Sequence, residues 1–453
     1  MSGPNGANSS TKINFSSDAF KKYLKNTGWL LFERVTRLLV TFLTGIYLVR
    51  YLGPSDFGIL AYAISFSGLF SVIAILGIDS IVIRELVKDQ SRKDTLLGTA
   101  FTMRIIGAVV SIVLTIAGLF ANREDPLVIT MVAIISVGTL FQTLNVVDYY
   151  FQSVVQSKYS VMVQFTTLML GSALRILFIV LELKVEIFAI VVLVEAVILG
   201  GGFYTAYRSQ GLTLKKWNFD KSVAVMLLRD GWPLLLSGVM ITIYMKIGQI
   251  MIKNMLGNVE SGYYAAAVRL SEAWYFVPLA VTNSLFPAIV NAKKMSEELY
   301  ISRLQKLYDL MAWSSFGIAV FVTIFSKQIT LILLGENYLA SADVLTIYIW
   351  AGIGTFLGVA SSQYLITENL TRISFLRTAI GMVLNVVLNW LMIPVWGING
   401  SAMATLLSYT AATFGLVFSR KAAWQAVMML KSIFLINLFK MVFEKWRSLL
   451  KNK

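Results

Sequence analysis

Apolar and polar positions alternate along this chain on the scale of whole helices. Twelve long apolar segments, roughly 28–50, 56–77, 97–120, 127–150, 159–181, 185–207, 230–255, 262–289, 305–326, 342–366, 373–395 and 398–419, are separated by short polar connections. Each is close to the roughly 20 residues that an α-helix needs to cross the hydrocarbon core of a bilayer. The pattern predicts an all-α polytopic membrane protein with about twelve transmembrane helices. The segments divide into two sets of six, and each set opens with the same signature. The first reads Leu52-Gly53, then Gly58, Ala61 and Ala63; the second reads Leu256-Gly257, then Gly262, Ala265 and Ala267, an offset of 204 residues at every matched position. Two related six-helix bundles are the sequence footprint of an alternating-access transporter with its substrate path between the lobes.

The organisation that follows is a polar tail over 1–27, a six-helix lobe over 28–207, an inter-lobe loop over 208–229, a second lobe over 230–420, and a basic amphipathic helix over 421–453. Lys431, Lys440, Glu444, Lys445 and Arg447 interrupt that last segment. Burying each charge at mid-bilayer would cost roughly 2.5–3.5 kcal/mol, so an interfacial helix with Trp424 and Trp446 near the headgroups is favoured over a thirteenth span. Asp79 to Asp94 is expected to extend the second span before turning. Pro233, Pro278 and Pro287, in spans seven and eight, read either as hinges or as helix-end packing.

Composition narrows the class. With 57% hydrophobic and 14% charged residues, an ordinary soluble fold is excluded. Residues 1–20 are polar and lack the apolar core of a secretory signal, so insertion is expected to rely on the first span. Cysteine and histidine are absent, which removes disulfides, thiolate chemistry and the commonest general base and metal ligand. No cofactor and no metal site are expected. The net charge of +15 is mostly topology rather than a sign of nucleic acid. With the N-terminus placed inside, lysines and arginines crowd the inner segments, while Arg50, Arg123, Lys184, Lys253 and Lys327 stand on the outer side. This asymmetry places both termini in the cytoplasm.

Ionisable side chains inside the spans are the candidates for function, because lipid cannot solvate them and they normally face a bundle interior or an aqueous path. The cations are Arg34, Arg37, Arg104, Arg175, Lys246, Arg269 and Arg377; the carboxylates are Glu33, Asp148, Glu195 and Glu272. A net-positive cavity suits an anionic group such as phosphate or pyrophosphate. The competing reading is structural. Glu33 and Arg37 are four apart and Arg269 and Glu272 three apart, spacings that allow self-neutralising pairs. Arg34, Arg104 and Arg377 lie near inner ends, from which they can snorkel. Glu195 reads as a proton carrier or as a hydrogen-bonded helix contact. Polar stripes at Gln142, Asn145, Asp148 and Gln152, and at Arg377, Asn385 and Asn389, fit either a wet path or interhelical hydrogen bonds. Outside the spans, Arg123-Glu124-Asp125 reads as a solvated turn.

These segments resemble the Wzx-type flippases for lipid-linked O-antigen and capsule repeat units, within the larger superfamily of polysaccharide, lipid II and MATE-type exporters. The resemblance is carried by Arg50-Tyr51-Leu52-Gly53-Pro54 with Phe57-Gly58, Gly77-Ile78-Asp79-Ser80 with Arg84-Glu85-Leu86, and Asp148 to Gln152 with Lys158-Tyr159. It continues through Ile243 to Lys246, Gly262-Tyr263, Ala267 to Leu270, Asn385 to Asn389, Ile393-Pro394, Gly397 and Gly400, and so runs from about residue 20 to 420. It implies two six-helix lobes around a central cavity, as in MATE transporters. It also implies movement of an undecaprenyl-pyrophosphate-linked oligosaccharide between leaflets of the bacterial inner membrane, with a polysaccharide polymerase and a chain-length regulator as partners. Relatives often carry Asp two residues after the cation that is Lys246 here; this chain has Gly248. An ion-coupling role would then fall to Glu272, Glu195 or Asp148, with Glu33 as a further carboxylate. The alternatives are a MATE-type exporter of organic cations, a lipid II flippase, and a membrane glycosyltransferase or polymerase. The last would need a sizeable catalytic outer loop, which is not apparent.

Overall fold

The computed structural model describes residues 18–434 apart from Asn369. Among the described residues, ten helical stretches are long and apolar enough to cross a membrane, the longest being Thr36–Lys88 with 53 residues and Arg372–Phe418 with 47. A straight helix of 53 residues would measure about 80 Å, well over twice the hydrocarbon thickness. Both long stretches are broken. Gly53 (φ 67°, ψ 174°) divides α1 (Asp18–Ile75), and Gly397 (φ 57°, ψ −138°) divides α14 (Thr371–Phe414). Ten stretches thus make twelve passes, the number that the hydropathy pattern predicts. The same break recurs one repeat later, where Gly257 (φ 112°, ψ −174°) separates α8 (Lys221–Leu256) from α9 (Asn258–Glu272). Positive φ with ψ near 180° is open essentially to glycine alone, which is why the repeat keeps glycine at 53 and 257.

Several elements run beyond their expected bounds. α1 begins at Asp18, so the tail expected over 1–27 is helical from residue 18, and residues 1–17 lie outside the described set. The second pass does not continue into the next helix. Leu76 and Gly77 both take positive φ, and α2 (Asp79–Lys88) starts anew after them. α3 (Lys93–Ala121), α4 (Pro126–Phe141), α5 (Val146–Ser153), α6 (Ser157–Val180) and α7 (Val185–Ser209) complete the first lobe. The inter-lobe loop expected over 208–229 is shorter than that. Asp220 caps α8, accepting from the Ser222 hydroxyl and from the backbone N–H groups of Val223 and Ser222; these bonds to its ionised form, the hydroxyl's foremost, hold its carboxyl below the usual range. The first turns of α8 then pack on the first lobe, with Val223, Ala224 and Leu227 in a core shared with Leu86, Leu97 and Tyr207.

In the second lobe α9 is followed by a 3₁₀ turn at Ala273–Tyr275 and α10 (Phe276–Lys293). Pro278 accounts for the break: its ring and missing N–H oppose the carbonyl four residues back, at Trp274. Pro233 leaves α8 continuous. α11 (Glu297–Leu334) runs beyond both ends of the span expected over 305–326, and α12 (Ser341–Tyr348), α13 (Ala351–Thr367), α14 and α15 (Ala423–Ile433) follow.

α15 is the described helical part of the segment expected over 421–453. Its 11 residues pack one face against the second lobe and leave Val427 and Leu430 exposed on the other. Gln425, with no exposed surface, accepts from the Tyr308 hydroxyl at 2.8 Å and the Ser361 hydroxyl at 3.2 Å. Ser432 donates to Asp309 at 2.6 Å and accepts from Gln305 at 2.8 Å. Residues 435–453 lie outside the described set. Gln425→Leu should leave those two buried hydroxyls short of an acceptor and lower stability by about 1–3 kcal/mol. A thermal unfolding midpoint equal to the parent's would contradict this.

The apolar cores show how the lobes meet. Near the face that carries the Gly53 and Gly257 turns, each core draws on both lobes: Val49 and Phe57 pack with Ile252, Tyr264 and Tyr338, and Ile250 packs with Leu60, Met131 and Phe188. Toward the opposite face the cores are separate. One holds Ile78 to Leu227 and the other holds Phe286 to Met429. The lobes therefore share cores at one face, while at the other it is α8 that bridges them, through Val223 to Leu227 and an Asp230–Arg84 ion pair at 3.0 Å.

Candidate site between the lobes

The joined face is built on the repeat. A Cβ at Gly58 would lie 1.9 Å from the carbonyl oxygen of Asn258, and a Cβ at Gly262 would lie 1.9 Å from that of Pro54. Positions 54 and 58 match 258 and 262 at the offset of 204, so the contact is the same in both directions, as in an isologous two-fold interface. Ser261 donates to the Gly58 carbonyl at 3.3 Å and Tyr338 to the Val49 carbonyl at 2.9 Å. The signature that marks the repeat is thus the seam between the lobes.

Below this seam four charged groups converge from four helices. Arg269 of α9 reaches across the interface onto α1, where its Nη2 donates to the Thr41 carbonyl at 2.9 Å. Its guanidinium fills the space left by Gly45, where a Cβ would lie 1.6 Å from it. Arg175 of α6 lies within electrostatic range of Arg269, and Arg37 of α1 within range of Glu195. Arg37 pairs with Glu33 one turn earlier and donates to Gln164 of α6 at 3.1 Å. Glu195 of α7 is not isolated, as its sequence neighbourhood suggests: it meets Arg175 in a two-point contact of 2.6 and 2.7 Å. Gly171 makes room for it, since a Cβ there would lie 1.8 Å from the carboxylate. That pairing ties Glu195 to α6, whereas a lone proton carrier would be unpaired.

The second lobe contributes Lys246 and Glu272. The spacing that suggests an Arg269–Glu272 pair is not used: Arg269 turns to α1, while Glu272 accepts from the Tyr348 hydroxyl at 3.3 Å and lies within electrostatic range of Lys246. No described ion pair includes Arg269 or Lys246. Arg269 therefore crosses the interface with its charge uncompensated by a direct carboxylate contact, the arrangement that an anion completes, while Lys246 has the Glu272 carboxylate within electrostatic range.

Other candidates go elsewhere. Arg104, 4% exposed, is sealed inside the first lobe, where it donates to Tyr149 and to the Gln142 carbonyl, and Tyr149 in turn donates to Asp79 at 2.6 Å. Arg377 is sealed in the second lobe, donating to Ser361, Ser362 and the Gly358 carbonyl. Asp148 accepts from Gln152 at 2.9 Å, one helical turn away. The Asn385–Asn389 stripe is buried and binds Ser401 at 2.5 Å, an interhelical link. A Cβ at Gly248 would meet the Ser401 and Tyr264 hydroxyls at 2.8 and 3.0 Å, so the absent aspartate's place faces this polar cluster. The Arg34 side chain lies outside the described residues. No group of three metal-ligating side chains is found among the described residues.

One functional feature escapes the sequence reading. Glu124, read as part of a solvated turn, is buried with Lys253 and Tyr62. Its only local signal is that it precedes Pro126 in a tight connection, which does not indicate burial.

Comparison with known proteins places this geometry. Solved structures similar to the chain include a lipid II flippase, MurJ, in an inward closed conformation, at a TM-score of 0.68 and 15% identity over 92% of this chain and 93% of that one. An inward-facing multidrug resistance MATE family transporter is similar at a TM-score of 0.66 and 16% identity over 89% and 96%. At these identities the likeness is one of fold. An uncharacterized membrane protein of Methanocaldococcus jannaschii is 24% identical over 251 residues, 51% of this chain and 58% of that relative's length. The sequence model of the family described as Polysaccharide biosynthesis protein matches residues 23–293, from the first helix through the whole of α10. On the strength of that match, and with a MATE-like fold beneath it, this chain belongs to the polysaccharide biosynthesis protein family.

Proposed function

We propose that the protein is a flippase that carries an undecaprenyl-pyrophosphate-linked oligosaccharide repeat unit from the cytoplasmic to the outer leaflet, for O-antigen, capsule or exopolysaccharide assembly. The observation that carries this reading is Arg269, which crosses the interface beneath the closed seam and meets no carboxylate among the described ion pairs. Arg175 lies within electrostatic range of Arg269, and Arg37 within range of Glu195, each already paired with a carboxylate. A pyrophosphate is a polyanion whose oxygens match guanidinium donors. The glycan would lie between the lobes while the prenyl chain stays in lipid, and no bond is made or broken. The face joined through Gly58 and Gly262 would be the outer one and the separated cores would open inward, with lobe rocking as the transport step. The basic bias of the opposite face supports a multi-pass protein of the bacterial cytoplasmic membrane with cytoplasmic termini. A polymerase and a chain-length regulator would act on the product.

An exporter of organic cations needs free carboxylates in the path. Glu195 is engaged by Arg175 and Glu33 by Arg37, which leaves Glu272 and Asp148, the latter bound to Gln152 within the first lobe. A lipid II flippase would use the same pyrophosphate chemistry. The purified protein should bind a fluorescent polyprenyl pyrophosphate that inorganic pyrophosphate displaces and tetraphenylphosphonium does not. The opposite order of displacement would favour the cation exporter.

A further inference from the structure

The joined face contains a buried ion pair that bridges the lobes. Glu124 lies in the turn between α3 and α4. The N–H of Arg123 donates to the Phe120 carbonyl at 3.2 Å and the N–H of Glu124 to the Leu119 carbonyl at 3.4 Å, the two bonds of a Schellman cap. Arg123 holds the left-handed conformation (φ 50°) that such a cap usually gives to glycine. The turn thereby directs Glu124 inward. Its side chain is 3% exposed and that of Lys253, at the end of α8, is 11% exposed. One carboxylate oxygen pairs with the Lys253 ammonium, and the other accepts from the Tyr62 hydroxyl at 2.6 Å. The ammonium also sits 4.6 Å from the centre of the Tyr62 ring. Asn122 and Asn254 flank the same hydroxyl. The first lobe supplies Tyr62, Asn122 and Glu124, and the second supplies Lys253 and Asn254.

Each charge finds its counter-ion in the opposite lobe. The buried pairs lower in the protein differ: Arg175–Glu195 and the Arg104–Tyr149–Asp79 chain lie within one lobe and move with it. If the lobes part at this face, Lys253 and Glu124 separate into water, and the desolvation that the closed state imposes on both is relieved. The contact therefore exists in one state and not in the other, the requirement for biasing a two-state equilibrium. We propose that Glu124–Lys253 is a latch of the transport cycle, made when the Gly58–Gly262 face shuts and broken each time the path opens there. The proposal rests on the alternating-access reading and not on the identity of the cargo.

The absence of cysteine makes the test direct. Ser261, fully buried in the seam, is replaced by Cys in the full-length protein, and a membrane-impermeant maleimide is applied to each side of the membrane in turn. Glu124→Gln and Lys253→Met should raise the labelling rate from the latch side by about tenfold or more, because each leaves a lone buried charge in the closed state. The exchange variant carrying Glu124→Lys and Lys253→Glu should bring the rate back toward that of the parent, a recovery that a general packing defect would not give. Tyr62→Phe, a milder change, should raise it about two- to fivefold through the loss of one hydrogen bond to a charged group. Unchanged labelling in Glu124→Gln and Tyr62→Phe would overturn the latch, as would a failure of the exchange to restore the parent rate. Labelling needs no substrate, so a latch that behaves as described while no oligosaccharide moves would count against the proposed cargo alone.

Discussion

Gly58→Val and Gly262→Val should each abolish transport while leaving the protein inserted and folded. A Cβ at either position would lie 1.9 Å from a backbone carbonyl of the other lobe. Backbone atoms in a helix cannot swing aside as a flexible side chain can, so the lobes must move apart instead. A penalty of about 3 kcal/mol on the closed state lowers its population roughly 150-fold. Since the contact is reciprocal across the repeat, the two substitutions should give the same phenotype: high accessibility of the seam and negligible turnover. Gly317→Val, at a glycine where an added Cβ would meet nothing within 4 Å, serves as the control and should transport normally. Turnover near the parent level in Gly58→Val would show that this face need not close as tightly as it does here.

Arg269→Gln should weaken binding of a pyrophosphate lipid by about 10- to 100-fold, the range expected for loss of a charged hydrogen-bond donor. The side chain is held by one carbonyl and a glycine-sized niche and meets no carboxylate among the described ion pairs, so little else depends on its charge. Arg104→Gln and Arg377→Gln form the contrast. Those guanidiniums are tied into single lobes by Tyr149 and by Ser361 and Ser362, and their loss should lower the unfolding midpoint without changing affinity. Equal affinity in Arg269→Gln and the parent, measured by titration with the fluorescent lipid, would remove the anion site from this interface.

The architecture was legible because bilayer thickness imposes a period on the sequence, and because Gly53, Gly58, Gly257 and Gly262 mark backbone geometry that few other residues allow. Helix lengths were not. α11 and the start of α8 run on past the membrane, where polar residues no longer distinguish helix from loop. Partner choice was also out of reach. Spacing along α9 permits an Arg269–Glu272 pair, but it says nothing of Thr41 and Gly45 waiting on α1. Glu124 is the clearest case: what buries it is a lysine 129 residues later. The Asn385–Asn389 stripe was readable as polar and helical, yet only packing decides that it faces Ser401 rather than a water-filled path.

The central claim is that the interface beneath the seam moves a pyrophosphate-linked glycan across the bilayer. The most direct measurement is transbilayer movement of a labelled polyprenyl-pyrophosphate oligosaccharide in proteoliposomes, read by its loss of protection from an added enzyme that attacks the glycan. The account predicts movement by the parent protein, loss of movement with Arg269→Gln, and little change with Arg377→Gln beyond lowered stability. Full protection of the labelled lipid with a folded parent protein, using the host's own lipid-linked glycan, would contradict it.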